Sequence, residues 1–125
     1  KGNRVSFKTN EKYSKEIKII KKAMFKVVNE NKGTAFNSRL QDIKFAGKTG
    51  TSQVRRISLS ERESDDFREK EQEWKNRDHA LFVGYMPYDD PKYSISVIIE
   101  HGGSGASTAA PIAKQIFNYI NELEV

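Results

Sequence analysis

The sequence predicts an α+β fold, an antiparallel three-stranded meander with N- and C-terminal helices packed on one face. Three observations predict it. A helical apolar period runs through residues 14–30. Two strand-like runs, 79–86 and 93–100, flank a turn rich in proline and aspartate, and a second helical period closes the chain. With 125 residues there is enough chain for one domain with a modest core.

The first helix, "SKEIKIIKKAMFKVVNE" (14–30), sets Ile17, Ile20, Met24 and Val27 on one face with lysines opposite, and Gly33 in "NKG" is its expected C-cap. Residues 33–47 read as a connector with weak strand character near its end. From residue 47, "GKTGTSQVRRI" is polar and glycine-bearing, like an edge strand. Residues 58–78 form a charged insertion with almost no core-forming residues, in which Phe67 and Trp74, seven apart, would share a face; the expectation is a segment that is exposed, mobile, or docked through those two aromatics. "HALFVGYM" (79–86) and "YSISVIIE" (93–100) are the next strands, joined by "PYDDPK". Alternation puts Tyr93, Ile95, Val97 and Ile99 on one face. Gly102, Gly103 and Gly105 then make a turn into the last helix. Ser107 or Thr108 would cap that helix, with Pro111 in its first turn and Ile112, Ile116, Phe117, Ile120 and Leu123 as its stripe. No internal repeat is visible.

Net charge is +5, and residues 1–30 hold nine lysines and arginines against three glutamates. A basic stripe is the electrostatic footprint of phosphate binding, so a small basic module binding nucleic acid or anionic lipid is one function to weigh. Against it, no aromatics alternate with these lysines as a stacking platform requires, and the expectation is no nucleic-acid partner. No cysteine is present. No apolar run approaches the roughly 18–20 residues of a membrane span, and no signal-peptide pattern opens these 125 residues. His79 and His101, at a strand start and a strand end, lack a third ligand in pattern, and Asp89 and Asp90 belong to a turn. Ordinary structural or surface roles, no metal and no cofactor are expected.

The stretch "AGKTGTSQV" (46–54) admits two chemistries. Gly47-Lys48-Thr49 is the tail of a phosphate-binding loop, whose first glycine would stand at position 42 and whose last residues would open a helix. Position 42 is Asp42, and residues 51–58, "TSQVRRIS", have strand composition. Both requirements fail. Lys48-Thr49-Gly50 instead matches the K-T-G of penicillin-interacting acyl enzymes, which needs a lysine, hydroxyls and a close-approach glycine on an exposed strand edge.

Context favours the second chemistry. "AGKTGTSQV" followed by "RDHALFVGYMPYDDPKYSISVIIEHGGSGASTAAPIAKQI" closely resembles the C-terminal part of class B penicillin-binding proteins, nearest to the elongation-associated type. The resemblance runs from the helix near residue 14 to about residue 120. It implies that residues 1–125 are the C-terminal portion of a transpeptidase domain, a fragment of the β-lactamase/transpeptidase-like fold, with 58–78 matching only as a charged insertion. The family's other two motifs, S-x-x-K and S-x-N, are absent: no serine has lysine three positions on or asparagine two positions on.

The resemblance further implies a bacterial peptidoglycan D,D-transpeptidase that cross-links stem peptides and is acylated by β-lactams. Lys48 would supply positive potential near the substrate carboxylate, and the Thr49 and Thr51 hydroxyls would hydrogen-bond it. Gly50 would let the substrate backbone approach, and the Thr51 main-chain N–H would be an oxyanion donor. The nucleophile lies outside this sequence, so the fragment is expected to be inactive alone. The full-length parent would sit in the inner membrane by a single anchor, its catalytic domain in the periplasm. Finally, an unpaired strand at 93–100 invites a homodimer.

Overall fold

The computed structural model describes residues 11–54, 63 and 73–123. Its described elements are helix α1 (Ser14–Asn29), strand β1 (Ala46–Ser52), strand β2 (His79–Met86), strand β3 (Tyr93–Ile99) and helix α2 (Ala110–Leu123), with short 3-10 turns at Glu11–Tyr13, Phe36–Ser38 and Trp74–Asn76. The strands form an antiparallel sheet in the order β1-β2-β3, as the sequence predicts. Register runs Ala46↔Tyr85 to Ser52↔His79 on one side of β2 and Ala80↔Ile99 to Met86↔Tyr93 on the other. Most of the insertion, and Phe67 with it, lies outside the described residues.

Period-2 alternation divides the sheet. Ala80, Phe82, Met86 and Val97 are buried in one cluster with Ala110, Ala113 and Phe117 of α2 and Val28 of α1, while Tyr93, Ile95 and Ile99 pack against it. Both helices therefore contribute to one core. Three phenylalanines form its centre: Phe45 lies 5.2 Å from Phe117 and 6.3 Å from Phe82, centroid to centroid. Each fully buried ring contributes about 1.5–3 kcal/mol relative to an exposed one. Facing glycines make room for Phe82. A Cβ added at Gly47 would meet its ring at 2.1 Å and one at Gly84 at 2.8 Å, and those two residues are paired across the ladder. Gly47 is thus a core glycine.

Several side chains sit differently from the sequence expectation. On α1 the inward line is Ile17, Lys21, Met24 and Val28, with Val28 fully buried, whereas Ile20 is 57% exposed. Lys21 turns inward because its ammonium lies over the rings of Tyr85 and Tyr88, and Phe25 packs on Tyr88 from the next position round. Helix α1 ends at Asn29 with Glu30 as its extended cap, its N–H donating to the Lys26 carbonyl. Gly33 then folds back on that end, where a Cβ would collide with the Val27 and Lys26 carbonyls. Its role is close approach.

On α2 the buried residues are Ala110, Ala113 and Phe117, while Ile116 and Leu123 are exposed. Alanines bring this helix close to the sheet, so the larger residues fall at the margin. A wide turn, Gly105–Ala109, leads directly into α2, and no side chain caps it. The Thr108 hydroxyl bonds back to the Gly102 carbonyl. The strand read as 93–100 ends at Ile99, and Glu100 begins a turn. Along its outer side β3 has no strand partner among the described residues.

Candidate active site

Among the described residues β1 is an edge strand, paired only with β2, and it presents the sequence Lys48-Thr49-Gly50-Thr51 along an open side. Alternation sends Lys48 and Gly50 to the sheet face shared with Leu81 and Val83, and Thr49 and Thr51 to the face shared with Ala80 and Phe82. Lys48 and Thr51 are exposed; Thr49 and Gly50 are half-buried. The Lys48 ammonium bends along the strand to donate to the Thr49 carbonyl. All four residues thus share one edge, with their side chains leaving it on two sides.

Thr49 has a partner that sequence reasoning missed. Its hydroxyl lies 2.8 Å from that of Thr34, in the connector after α1. Fifteen residues separate the two, and no motif links them. Beside them Thr34, Asn37, Ser107 and Lys114 help to line an open groove of about 530 Å³, between the connector and the start of α2.

The strand glycines differ in what they accommodate. At Gly47 and Gly84 an added Cβ collides with Phe82. At Gly50 it would meet only Leu81, 3.3 Å from its Cβ, a tight contact that a few tenths of an ångström relieve. Packing within the chain explains the first two and only weakly explains the third.

The two histidines are brought together at the end of the sheet beyond Thr51. The His101 N–H donates to His79 Nδ1 at 2.9 Å, the His101 ring nitrogen Nδ1 lies 3.1 Å from the Arg77 carbonyl oxygen, and Trp74 packs on the His101 ring at 4.4 Å. His101 adopts φ of 54°, a left-handed conformation uncommon for a residue with a side chain. These contacts hold the turn after β3 to the start of β2, a structural role. Of the two aromatics expected on one face of the insertion, Trp74 packs on the His101 ring and Phe67 lies outside the described residues. At the opposite end Tyr85 is stacked 6.3 Å from Tyr88. Burial, and secondarily Tyr88, raises the Tyr85 hydroxyl above the usual tyrosine range. No group of three or more metal-ligating side chains occurs among the described residues.

Comparison with known proteins gives a consistent result. Residues 8–118 match the family "Penicillin binding protein transpeptidase domain". The "Peptidoglycan D,D-transpeptidase MrdA" of Haemophilus influenzae is 40% identical over 100 residues, covering 79% of this chain and 15% of that protein. The protein of the same name from Acinetobacter baumannii is 39% identical over 100 residues, covering 80% of this chain and 14% of that protein. Among solved structures, penicillin-binding protein 2 of Helicobacter pylori, in its complex with MreC, superimposes with a TM-score of 0.74 at 31% identity, over 92% of this chain and 19% of that one. Penicillin-binding protein 2 of Pseudomonas aeruginosa, in complex with WCK 5153, gives 0.58 at 33% identity, over 79% of this chain and 18% of that one. The chain spans about one seventh of the length of the curated relatives it matches.

Proposed function

The chain belongs to the penicillin-binding protein transpeptidase family, and from that premise we propose that residues 1–125 form the K-T-G-bearing, C-terminal portion of the transpeptidase domain of a peptidoglycan D,D-transpeptidase. The observation that carries this reading is the open edge of β1, where Lys48, Gly50 and Thr51 are accessible side by side and Gly50 is the strand glycine its own neighbours least require.

The proposed chemistry is acyl transfer. A serine hydroxyl attacks the penultimate D-Ala carbonyl of a stem peptide, the carbon–nitrogen bond to the terminal D-Ala breaks, and that D-Ala leaves with the serine's proton. An amine of a neighbouring stem then attacks the serine ester, forms the cross-link and returns a proton to the serine. A β-lactam acylates the same serine, its ring nitrogen taking the proton, and remains attached. These 125 residues hold no S-x-x-K, so the nucleophile must come from other residues of the parent.

Each residue of the edge has a part in this proposal. Lys48 holds positive potential against the substrate carboxylate. Thr49, oriented by Thr34, and Thr51 offer hydroxyls to that carboxylate. Gly50 leaves room for the substrate backbone. The Thr51 N–H stabilises the oxyanion, an interaction whose loss typically costs about 10²–10³ in rate. No helix among the described residues is long and apolar enough to cross a membrane. An inner-membrane anchor and a periplasmic catalytic domain are proposed for the parent on family grounds alone. Neither a metal nor another cofactor enters the chemistry.

The test is the second-order acylation rate of the full-length protein by a fluorescent penicillin. A hydrogen bond to a charged group contributes about 1.5–3 kcal/mol, so Lys48→Ala should slow acylation about 10- to 100-fold. Lys22→Ala, on the exposed side of α1, should leave it unchanged. Lys21 is no suitable control, because its ammonium covers Tyr85 and Tyr88. Equal, small effects of Lys48→Ala and Lys22→Ala would refute the assignment.

A further inference from the structure

Behind the open edge, the turn that follows β3 presses directly on the site strand. A Cβ added at Gly105 would lie 2.3 Å from the Gly50 oxygen, 2.4 Å from the Leu81 oxygen and 2.9 Å from the Gly50 nitrogen. Gly105 does not have a positive φ; Gly103, at 79°, is the described glycine in this turn that does. Glycine is needed at 105 for space, so that one backbone can rest on another.

We propose that Gly105 is a positioning residue that sets the plane of the Gly50–Thr51 peptide, so that the Thr51 N–H projects from the open edge of β1. The proposal rests on the reading of Thr51 as oxyanion donor for its functional half, and on geometry alone for its structural half.

The geometry runs through the peptide plane. The Gly50 oxygen and the Thr51 N–H belong to one rigid unit. The Gly50 nitrogen, the Gly50 oxygen and the Leu81 oxygen converge on the point where a Gly105 side chain would begin. Such convergence marks Gly50 and Leu81 as a pair that turn their polar groups toward each other, and the next residue along an antiparallel edge then turns its N–H outward. Relieving a 2.3 Å contact to an ordinary 3.4 Å requires roughly 1 Å of displacement.

Which side yields is decided by how each is held. Hydrogen bonds at several points fix the turn, among them His101 N–H to His79 Nδ1, Gly102 N–H to the Ile99 carbonyl, Gly103 N–H to the Asp78 carbonyl, Thr108 N–H to the Ser104 carbonyl, and the Thr108 hydroxyl to the Gly102 carbonyl. Among the described residues β1 is paired on one side only. The edge strand gives way, and the peptide bearing the Thr51 N–H tilts with it.

Two measurements test this. In the 125-residue chain, amide hydrogen exchange should find the Thr51 N–H fast and the Gly50 N–H protected. In amide NMR spectra, Gly105→Ala should shift the Gly50 and Thr51 resonances, whereas Gly103→Ala, which strains the same turn with nothing within 4 Å of its Cβ, should not. In the full-length protein, Gly105→Ala should lower the first-order acylation step about 10²-fold with the noncovalent affinity for penicillin unchanged, and Gly103→Ala should leave that step intact. A protected Thr51 amide overturns the proposal without any variant. So does a Gly105→Ala chain that fails to fold, or one that folds with Thr51 unmoved. Full-length wild-type protein that is never acylated refutes the transpeptidase reading and the functional half with it, while the exchange and NMR results still decide the geometry.

Discussion

Gly47→Ala is the change that most directly tests how the site strand is seated. An added methyl would stand 2.1 Å and 2.8 Å from two carbons of the Phe82 ring and 2.8 Å from the Val83 oxygen. Phe82 is fully buried between Gly47, Gly84 and Phe45, so the ring cannot leave without opening a cavity. Overpacking of this kind costs about 1–3 kcal/mol. The collision also involves backbone, which points to the upper end. Against it, removing a glycine lowers the entropy of the unfolded chain, worth about 0.4–1 kcal/mol, a gain available here because Gly47 has no positive φ. The net expectation is a loss of about 2 kcal/mol, which for a chain of this size lowers Tm by roughly 6–12 °C. Thermal and denaturant unfolding would measure it, alongside Phe82→Leu and the double variant. Phe82→Leu vacates part of the contested space, so the double variant should be more stable than the sum of the single losses by about 0.5–3 kcal/mol. Additive losses, or a Gly47→Ala chain as stable as wild type, would refute the view that Phe82 occupies the space of the missing side chain.

Other expectations bear on chemistry, pH and assembly. The 125-residue chain incubated with a fluorescent penicillin should form no covalent adduct; intact-mass detection of a stoichiometric adduct on any serine here would sink the proposal that the nucleophile lies elsewhere. Tyr85, whose hydroxyl is buried without a hydrogen-bond partner among the described residues, has a raised pKa, so the folded state holds its proton more tightly than the unfolded state does. Its contribution to stability is fully present below about pH 10 and is lost as pH rises through the folded value. Tyr85→Phe should accordingly flatten the loss of stability above pH 10 in denaturant titrations; a steeper alkaline loss contradicts this. The outer side of β3, unpaired among the described residues and bearing Ile98 at 62% exposure, should let the isolated chain self-associate. Sedimentation should depend on concentration for wild type and not for Ile98→Lys, and a wild type that is monomeric throughout would refute it.

The sequence by itself determined the elements and their order. Strand composition in 79–86 and 93–100, the turn between them and the glycine-bearing polar edge are local properties; the short link between the last two strands favours a hairpin, and strands consecutive in sequence usually neighbour one another even across a long insertion. It also determined which residues make the K-T-G edge, because that motif is contiguous and needs an extended backbone to be read. Tertiary structure decided what lies at a distance along the chain. Lys21 reads as solvated from its polarity, yet the rings of Tyr85 and Tyr88, some sixty residues away, draw it inward. Of the α2 stripe read from periodicity, Phe117, Ile112 and Ile120 do face the core, whereas Ile116 and Leu123 are exposed and the close approach to the sheet is made by Ala110 and Ala113. Thr34 reaches Thr49, His101 reaches His79, and Gly105 reaches Gly50 only once the chain has folded. Periodicity reports which face of an element is apolar. It carries no record of which partner presses on that face, because that depends on contacts between residues whose separation in sequence no local pattern encodes.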